Sequence, residues 1–125
     1  MTHLTSESAH EFEVHGVMFR SFVSTAAGAT QLAGWCAEFS PMTPGVPHRM
    51  SREEVLYVLD GAVDVEVGEE RFVAAAGDCV VVPPETRFRI SNNSEASARA
   101  WVTTTLGMTA TIEPTEEQMN PPWAQ

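Results

Sequence analysis

The chain has 125 residues, 43% hydrophobic and 19% charged, with 17 acidic residues against 7 basic and a net charge of −10. That length and composition fit one globular domain with a full core. They exclude the basic footprint that nucleic acid or an acidic lipid surface would need, and no run reaches the apolar length of a membrane span. Residues 1–10 are polar and read as a flexible lead. They lack a basic run ahead of an apolar stretch, so they do not read as a signal peptide. The expectation is a cytoplasmic chain whose two cysteines, Cys36 and Cys79, are free thiols. Both lie in strand-like apolar runs and read as small buried hydrophobes.

From there the pattern is one of short strands punctuated by turns. Trp35 and Cys36 fall in a first strand. Around Glu54, side-chain alternation places Glu54, Leu56 and Val58 on one face, and the same parity joins His48 to Met50. Val63, Val65 and Val67 alternate with Asp64 and Glu66, as in a half-buried antiparallel strand. Gly68-Glu69-Glu70 turns that strand back into Arg71-Phe72-Val73. Cys79-Val80-Val81-Val82 ends at Pro83-Pro84, which cannot donate to a ladder. Asn92-Asn93-Ser94 is a turn cluster. Ala98 to Leu106, which contains Trp101, and Met108 to Ile112 read as closing strands. Helical periodicity is weak throughout, so an all-β sandwich or barrel is expected over residues 11–112. Residues 113–125 are polar and Pro-rich. Trp123 stands out there, because a large aromatic side chain is costly to leave in water, and it should dock on the barrel or on a partner subunit.

Two spaced sets of residues resemble the two motifs of the cupin superfamily. In the first, His48 fills the leading histidine position, Glu54 the carboxylate position, and Gly61 follows after six residues. In the second, Gly77, Pro83 and Asn92 fall in place, and fifteen residues separate Gly61 from Gly77. The chain departs from the motifs at Met50 and Phe88, which stand where two ligand histidines are expected, and at Glu85, which replaces a glycine. The resemblance runs from about Gln31 to Gly107. It implies a double-stranded β-helix, or jelly-roll barrel, with His48, Met50, Glu54 and Phe88 converging on the lumen and Leu56 just beneath them.

Such a donor set is poor in metal ligands. A catalytic zinc site takes three protein donors of N, O or S type, and non-haem iron takes two histidines and a carboxylate. His48 and Glu54 supply one each. No cofactor is therefore expected, beyond weak divalent-metal binding by that pair; His3, His10 and His15 lie upstream, where nothing in the sequence brings them to the lumen. His48 and Glu54 instead read as an acid/base pair within hydrogen-bond reach, directly or through one water. Met50, Leu56, Phe88 and one or both of Trp35 and Trp101 would wall an apolar cavity around them. Three functions fit this reading. One is a metal-independent lyase, dehydratase, isomerase or cyclase working by proton transfer. The second is a non-catalytic ligand-binding or sensor protein. The third is a metal-dependent oxygenase or isomerase with an incomplete ligand set. The resemblance also implies a homodimer and a small-molecule ligand.

Overall fold

The computed structural model describes residues 2–125. Two six-stranded antiparallel sheets face each other as the expected jelly-roll barrel. The strands are β1 (His10–Val14), β2 (Val17–Val23), β3 (Leu32–Phe39), β4 (His48–Met50), β5 (Glu54–Asp60), β6 (Ala62–Val67), β7 (Glu70–Ala75), β8 (Cys79–Val82), β9 (Phe88–Ser91), β10 (Ala98–Thr105), β11 (Ala110–Ile112) and β12 (Glu117–Met119). The first sheet runs β1-β2-β3-β10-β5-β8 and the second β12-β11-β4-β9-β6-β7. Among the described residues no helix is long and apolar enough to cross a membrane.

Local sequence explains the corners. His15 and Gly16 turn β1 into β2 with φ of 49° and 83°, the doubly positive φ of the two-residue turn that matches strand twist. Gly61, the motif glycine after β5, has φ of 74°. A Cβ there would lie 2.8 Å from the Ser97 carbonyl oxygen, so no other residue fits this corner without displacement. The turn cluster at Asn92 is a buried amide clasp. Its Nδ2 donates to the carbonyls of Phe39, Ser40 and Ala96, while its Oδ1 accepts from the Ser94 backbone and hydroxyl. One side chain thus joins the end of β3 to the β9–β10 connection.

The barrel is filled at one end and hollow at the other. Val58, Val63, Val65, Val80, Ala98 and Ala100 pack the filled end from both sheets. The tail docks on its own barrel: Trp123 is buried and stacks on Phe19 at 3.7 Å between ring centroids and 6° between planes. Gly107 donates to the Ala124 carbonyl at 2.9 Å, which holds this end in place. Near the other terminus Ser6–Ser8 form a short 3-10 turn, and Arg20 donates to the Ser6 carbonyl at 2.8 Å.

Two sequence expectations need correction. Cys36 is buried, but Cys79 is exposed, because Val80 and Val82 take the inward positions of β8 and parity sends Cys79 out with Val81. Trp101 does not wall the lumen. Its neighbour Val102 points inward, so Trp101 lies on the outer face of the first sheet, against Phe22 at 5.9 Å and with its indole N–H donated to Thr103 Oγ1.

Candidate functional site

The hollow end encloses a cavity of about 340 Å³. β3 contributes Trp35, Ala37 and Phe39, β5 contributes Glu54 and Leu56, and β4 and β9 contribute His48, Met50 and Phe88. The expected inward convergence of His48, Met50, Glu54, Leu56, Phe88 and Trp35 is thus present. Met50, Leu56 and Phe88 are almost completely buried.

His48 and Glu54 stand on opposite walls, which the sequence motif does not reveal. β4 belongs to the second sheet and β5 to the first, so consecutive motif residues face each other across the lumen. No direct hydrogen bond joins them among the described residues, which removes one of the two expected forms of contact and leaves the one through a bridging water. His48 Nδ1 is 2.8 Å from the Val46 carbonyl oxygen. A carbonyl only accepts, so Nδ1 carries the proton and Nε2 keeps its lone pair. The ring packs edge-on to Phe88 at 5.5 Å. Burial lowers the His48 pKa, opposed by the Val46 bond and by Glu113, so the imidazole is neutral at pH 7.

Glu54 is the more unusual group. It is 4% exposed, its Oε2 is buried without a hydrogen-bond partner, and burial raises its pKa to about 8. A carboxylate in that position lacks both water and a counter-charge, which is costly, so the group takes a proton instead. Among its buried walls, apart from the exposed His15 and Glu117 that also line it, the cavity therefore presents at neutral pH a carboxylic acid on one side and a neutral imidazole with a free lone pair on the other. Environments that separate the roles of two titratable groups in this way are typical of acid/base sites.

No arginine lines the cavity, and the chain has no lysine. Arg49 and Arg89 lie on the second sheet and Arg87 just ahead of β9, and all three are engaged outside the lumen. Arg49 pairs with Glu113 and Glu116, Arg87 with Glu66, and Arg89 donates to the Gly45 carbonyl. Arg49 and Arg87 are each the chain neighbour of an inward residue, His48 and Phe88, so strand parity turns them outward.

The residues present do not fit a metal. Met50 and Phe88 fill two of the positions that would carry donors, and no group of three or more His, Cys, Asp or Glu converges among the described residues. His48 and Glu54 alone leave a divalent ion short of protein ligands.

Several lining residues lie outside the motif region. His15, Val14 and Phe19 come from the β1–β2 hairpin, and Glu117, Met119, Pro121 and Trp123 from the tail. His15 is therefore brought to the cavity, against the sequence reading that left it unplaced. Its signal was present: Phe12 and Val14 before His15-Gly16, and Val17 and Phe19 after it, alternate as a hairpin does. For the tail the only signal was Trp123.

Residues 36–104 match the family described as the cupin domain, which is more than half of the chain. Three solved structures illustrate the likeness. The polyketide cyclase RemF from Streptomyces resistomycificus is 17% identical, with a TM-score of 0.77 over 97% of this chain and 85% of that one. A sugar phosphate isomerase from Silicibacter pomeroyi DSS-3 is 17% identical, with a TM-score of 0.75 over 93% and 84%. An RmlC-like cupin from Shewanella frigidimarina NCIMB 400 is 20% identical, with a TM-score of 0.69 over 81% and 86%. At these identities the likeness is one of fold. No curated protein matches the chain.

Proposed function

The chain belongs to the cupin family, and from that membership we propose that its barrel binds an uncharged, mostly apolar small molecule and moves a proton on it without a metal. The observation that carries this reading is Glu54. It is a buried acid with an unpartnered oxygen in a cavity it shares with His48. A ligand carbonyl seated between the walls accepts a hydrogen bond from the Glu54 carboxyl group. His48 Nε2 takes a proton from the adjacent carbon as Glu54 protonates the oxygen. The C–H bond and the Glu54 O–H bond break, the His48 Nε2–H bond and the enol O–H bond form, and the enol, held between a Glu54 carboxylate and a His48 imidazolium, is poised for reprotonation, elimination or ring closure. Isomerase, dehydratase, lyase and cyclase chemistry all share this step.

The lining argues for the ligand class. Trp35, Phe39, Met50, Phe88 and Trp123 give apolar and aromatic walls, and the volume falls at the small end of ligand sites. With no arginine or lysine on the wall, a phosphate or carboxylate would enter without a counter-charge. A sugar phosphate, named for one of the structural relatives, is therefore a poor fit to this chain.

Paired probes of one shape test the reading. Acetylnaphthalene and naphthoate are titrated against the protein at pH 7 by calorimetry. The ketone should bind at least about ten-fold more tightly, since one unpaired buried charge costs well over 1.4 kcal/mol. Tighter binding of naphthoate would overturn the neutral-cavity reading. The bound ketone is then held in heavy water and followed by proton NMR. Catalysed deuteration of its methyl group, lost in Glu54→Gln and in His48→Gln, supports proton transfer. Binding without catalysed exchange would leave a ligand-binding or sensor protein.

A further inference from the structure

The Val46 carbonyl fixes the proton on His48 Nδ1, and the segment that carries this carbonyl is held by side chains rather than by a ladder. Thr43 pairs with Asn92 at one end of it, and His48 pairs with Phe88 at the other. From Thr43 to His48 the chain takes five steps, whereas the facing chain takes four from Asn92 to Phe88. One residue is in excess, as in a β-bulge, which interrupts pairing and re-aims the groups around it. Pro44 and Pro47 bring no N–H to pair, and Pro47 holds Val46 in an extended conformation.

Two side chains of β9 take the place of the missing ladder, and both act on Gly45. Its N–H donates to Ser91 Oγ at 3.0 Å, and Arg89 Nε donates to its carbonyl at 3.0 Å. The fit is close, since a Cβ on Gly45 would collide with the Ile90 carbonyl. Ser91 is buried, and Glu66 stands 3.9 Å from Arg89 Nη1. The peptide groups on both sides of Gly45 are thereby fixed, one residue ahead of Val46.

We infer that Ser91 and Arg89 are positioning residues for His48: they anchor Gly45, which sets the Val46 carbonyl 2.8 Å from Nδ1 and leaves Nε2 as the base. A neutral imidazole has one N–H and one lone pair. With the Val46 carbonyl withdrawn, the proton is free to move to Nε2, and that tautomer offers the cavity no base. The role rests on the proton-transfer reading above. Neither residue lines the cavity, so each acts through His48 and not on the ligand.

Long-range nitrogen–proton NMR at pH 8, where the ring is neutral, gives the ratio of Nδ1- to Nε2-protonated His48 with no ligand present. Arg89→Gln and Ser91→Ala should each lower that ratio at least about two-fold, and together at least about five-fold, the weight of one neutral hydrogen bond. Circular dichroism checks folding, and Arg89→Gln, at a partly exposed site, suffices if Ser91→Ala does not fold. Arg99→Gln, which breaks the pair with Asp60 on the other sheet, should leave the ratio unchanged. In the deuteration of acetylnaphthalene, kcat should fall with the ratio while the dissociation constant stays within about two-fold. A wild-type ring protonated on Nε2 would overturn the acid/base reading and the positioning role together. A wild-type ring protonated on Nδ1 whose ratio moves in neither variant, or moves as much in Arg99→Gln, would overturn the positioning role alone. So would exchange that is lost only through weaker binding.

Discussion

Replacing Glu54 by glutamine removes the ionisation and keeps the shape, and its effect should reverse with pH. In the folded chain the Glu54 pKa is raised from 4.5 to about 8. Between those values the folded protein holds a proton that the unfolded chain has released, so stability falls as pH rises through that window. Below it no cost of ionisation remains, and above it the loss is complete. At about 1.4 kcal/mol per pKa unit, the full interval corresponds to about 5 kcal/mol, and the part between pH 5 and pH 8 to roughly 3–4 kcal/mol. The amide of the Glu54→Gln variant has no proton to lose. It is an unpartnered buried group, which costs about 1–3 kcal/mol at any pH. The variant should therefore be close to wild type in stability at pH 5, where both groups are neutral and unpartnered, and more stable than wild type at pH 8, where only the carboxyl ionises. Urea denaturation at both values measures this. The quantity to compare is the pH 5 to pH 8 change in wild type minus that in the variant, which cancels every other titrating group. A difference near zero would refute the reasoning, since it would mean that Glu54 ionises as it does in water.

Three further outcomes follow from the same geometry. Long-range nitrogen–proton NMR should show His48 at pH 7 as the neutral tautomer protonated on Nδ1, titrating below the usual imidazole value of 6.5; a doubly protonated ring at pH 7 would contradict the base assigned here. Wild-type protein dialysed against a mild chelator should retain no stoichiometric metal, whereas Met50→His combined with Phe88→His should bind zinc or nickel stoichiometrically, because histidines at 48, 50 and 88 would then converge with Glu54 at the motif positions. Metal analysis decides both, and an unchanged metal content in the double variant would show that the barrel does not bring these positions together. Trp123→Ala should cost about 3 kcal/mol in chemical denaturation and widen the cavity mouth, so that a bulkier aromatic ketone binds more tightly; unchanged stability would mean that the Phe19–Trp123 stack adds nothing to the fold.

Much of the barrel could be read from spaced residues alone. Inward alternation at Glu54, Leu56 and Val58, the corner at Gly61 and the turn at Asn92 each follow from chemistry confined to a few neighbouring positions. The cavity wall near the motifs was equally legible, since Met50 and Phe88 stand at positions that the resemblance to the cupin motifs turns inward. What escaped was long-range. His48 and Glu54 lie six residues apart, yet Ser51 to Glu53 carry the chain from one sheet to the other, so the pair became two walls. His15 and Trp123 come from opposite ends of the chain, and only the closed barrel sets them at one opening. Trp101 and Cys79 were lost to parity. An aromatic or a thiol in an apolar run reads as buried whichever face it takes, and only the register of β10 and β8 decides.

The most direct test is the carboxyl carbon of Glu54 itself. Protein labelled with carbon-13 at glutamate side chains, assigned by comparison with Glu54→Gln, can be titrated by NMR from pH 4 to 9. A single carboxyl resonance with its midpoint near 8 is the predicted result, and it should move higher still when acetylnaphthalene fills the cavity. A midpoint near the ordinary value of 4.5 would contradict the account, because a Glu54 ionised at neutral pH would neither leave the buried wall uncharged nor supply a proton.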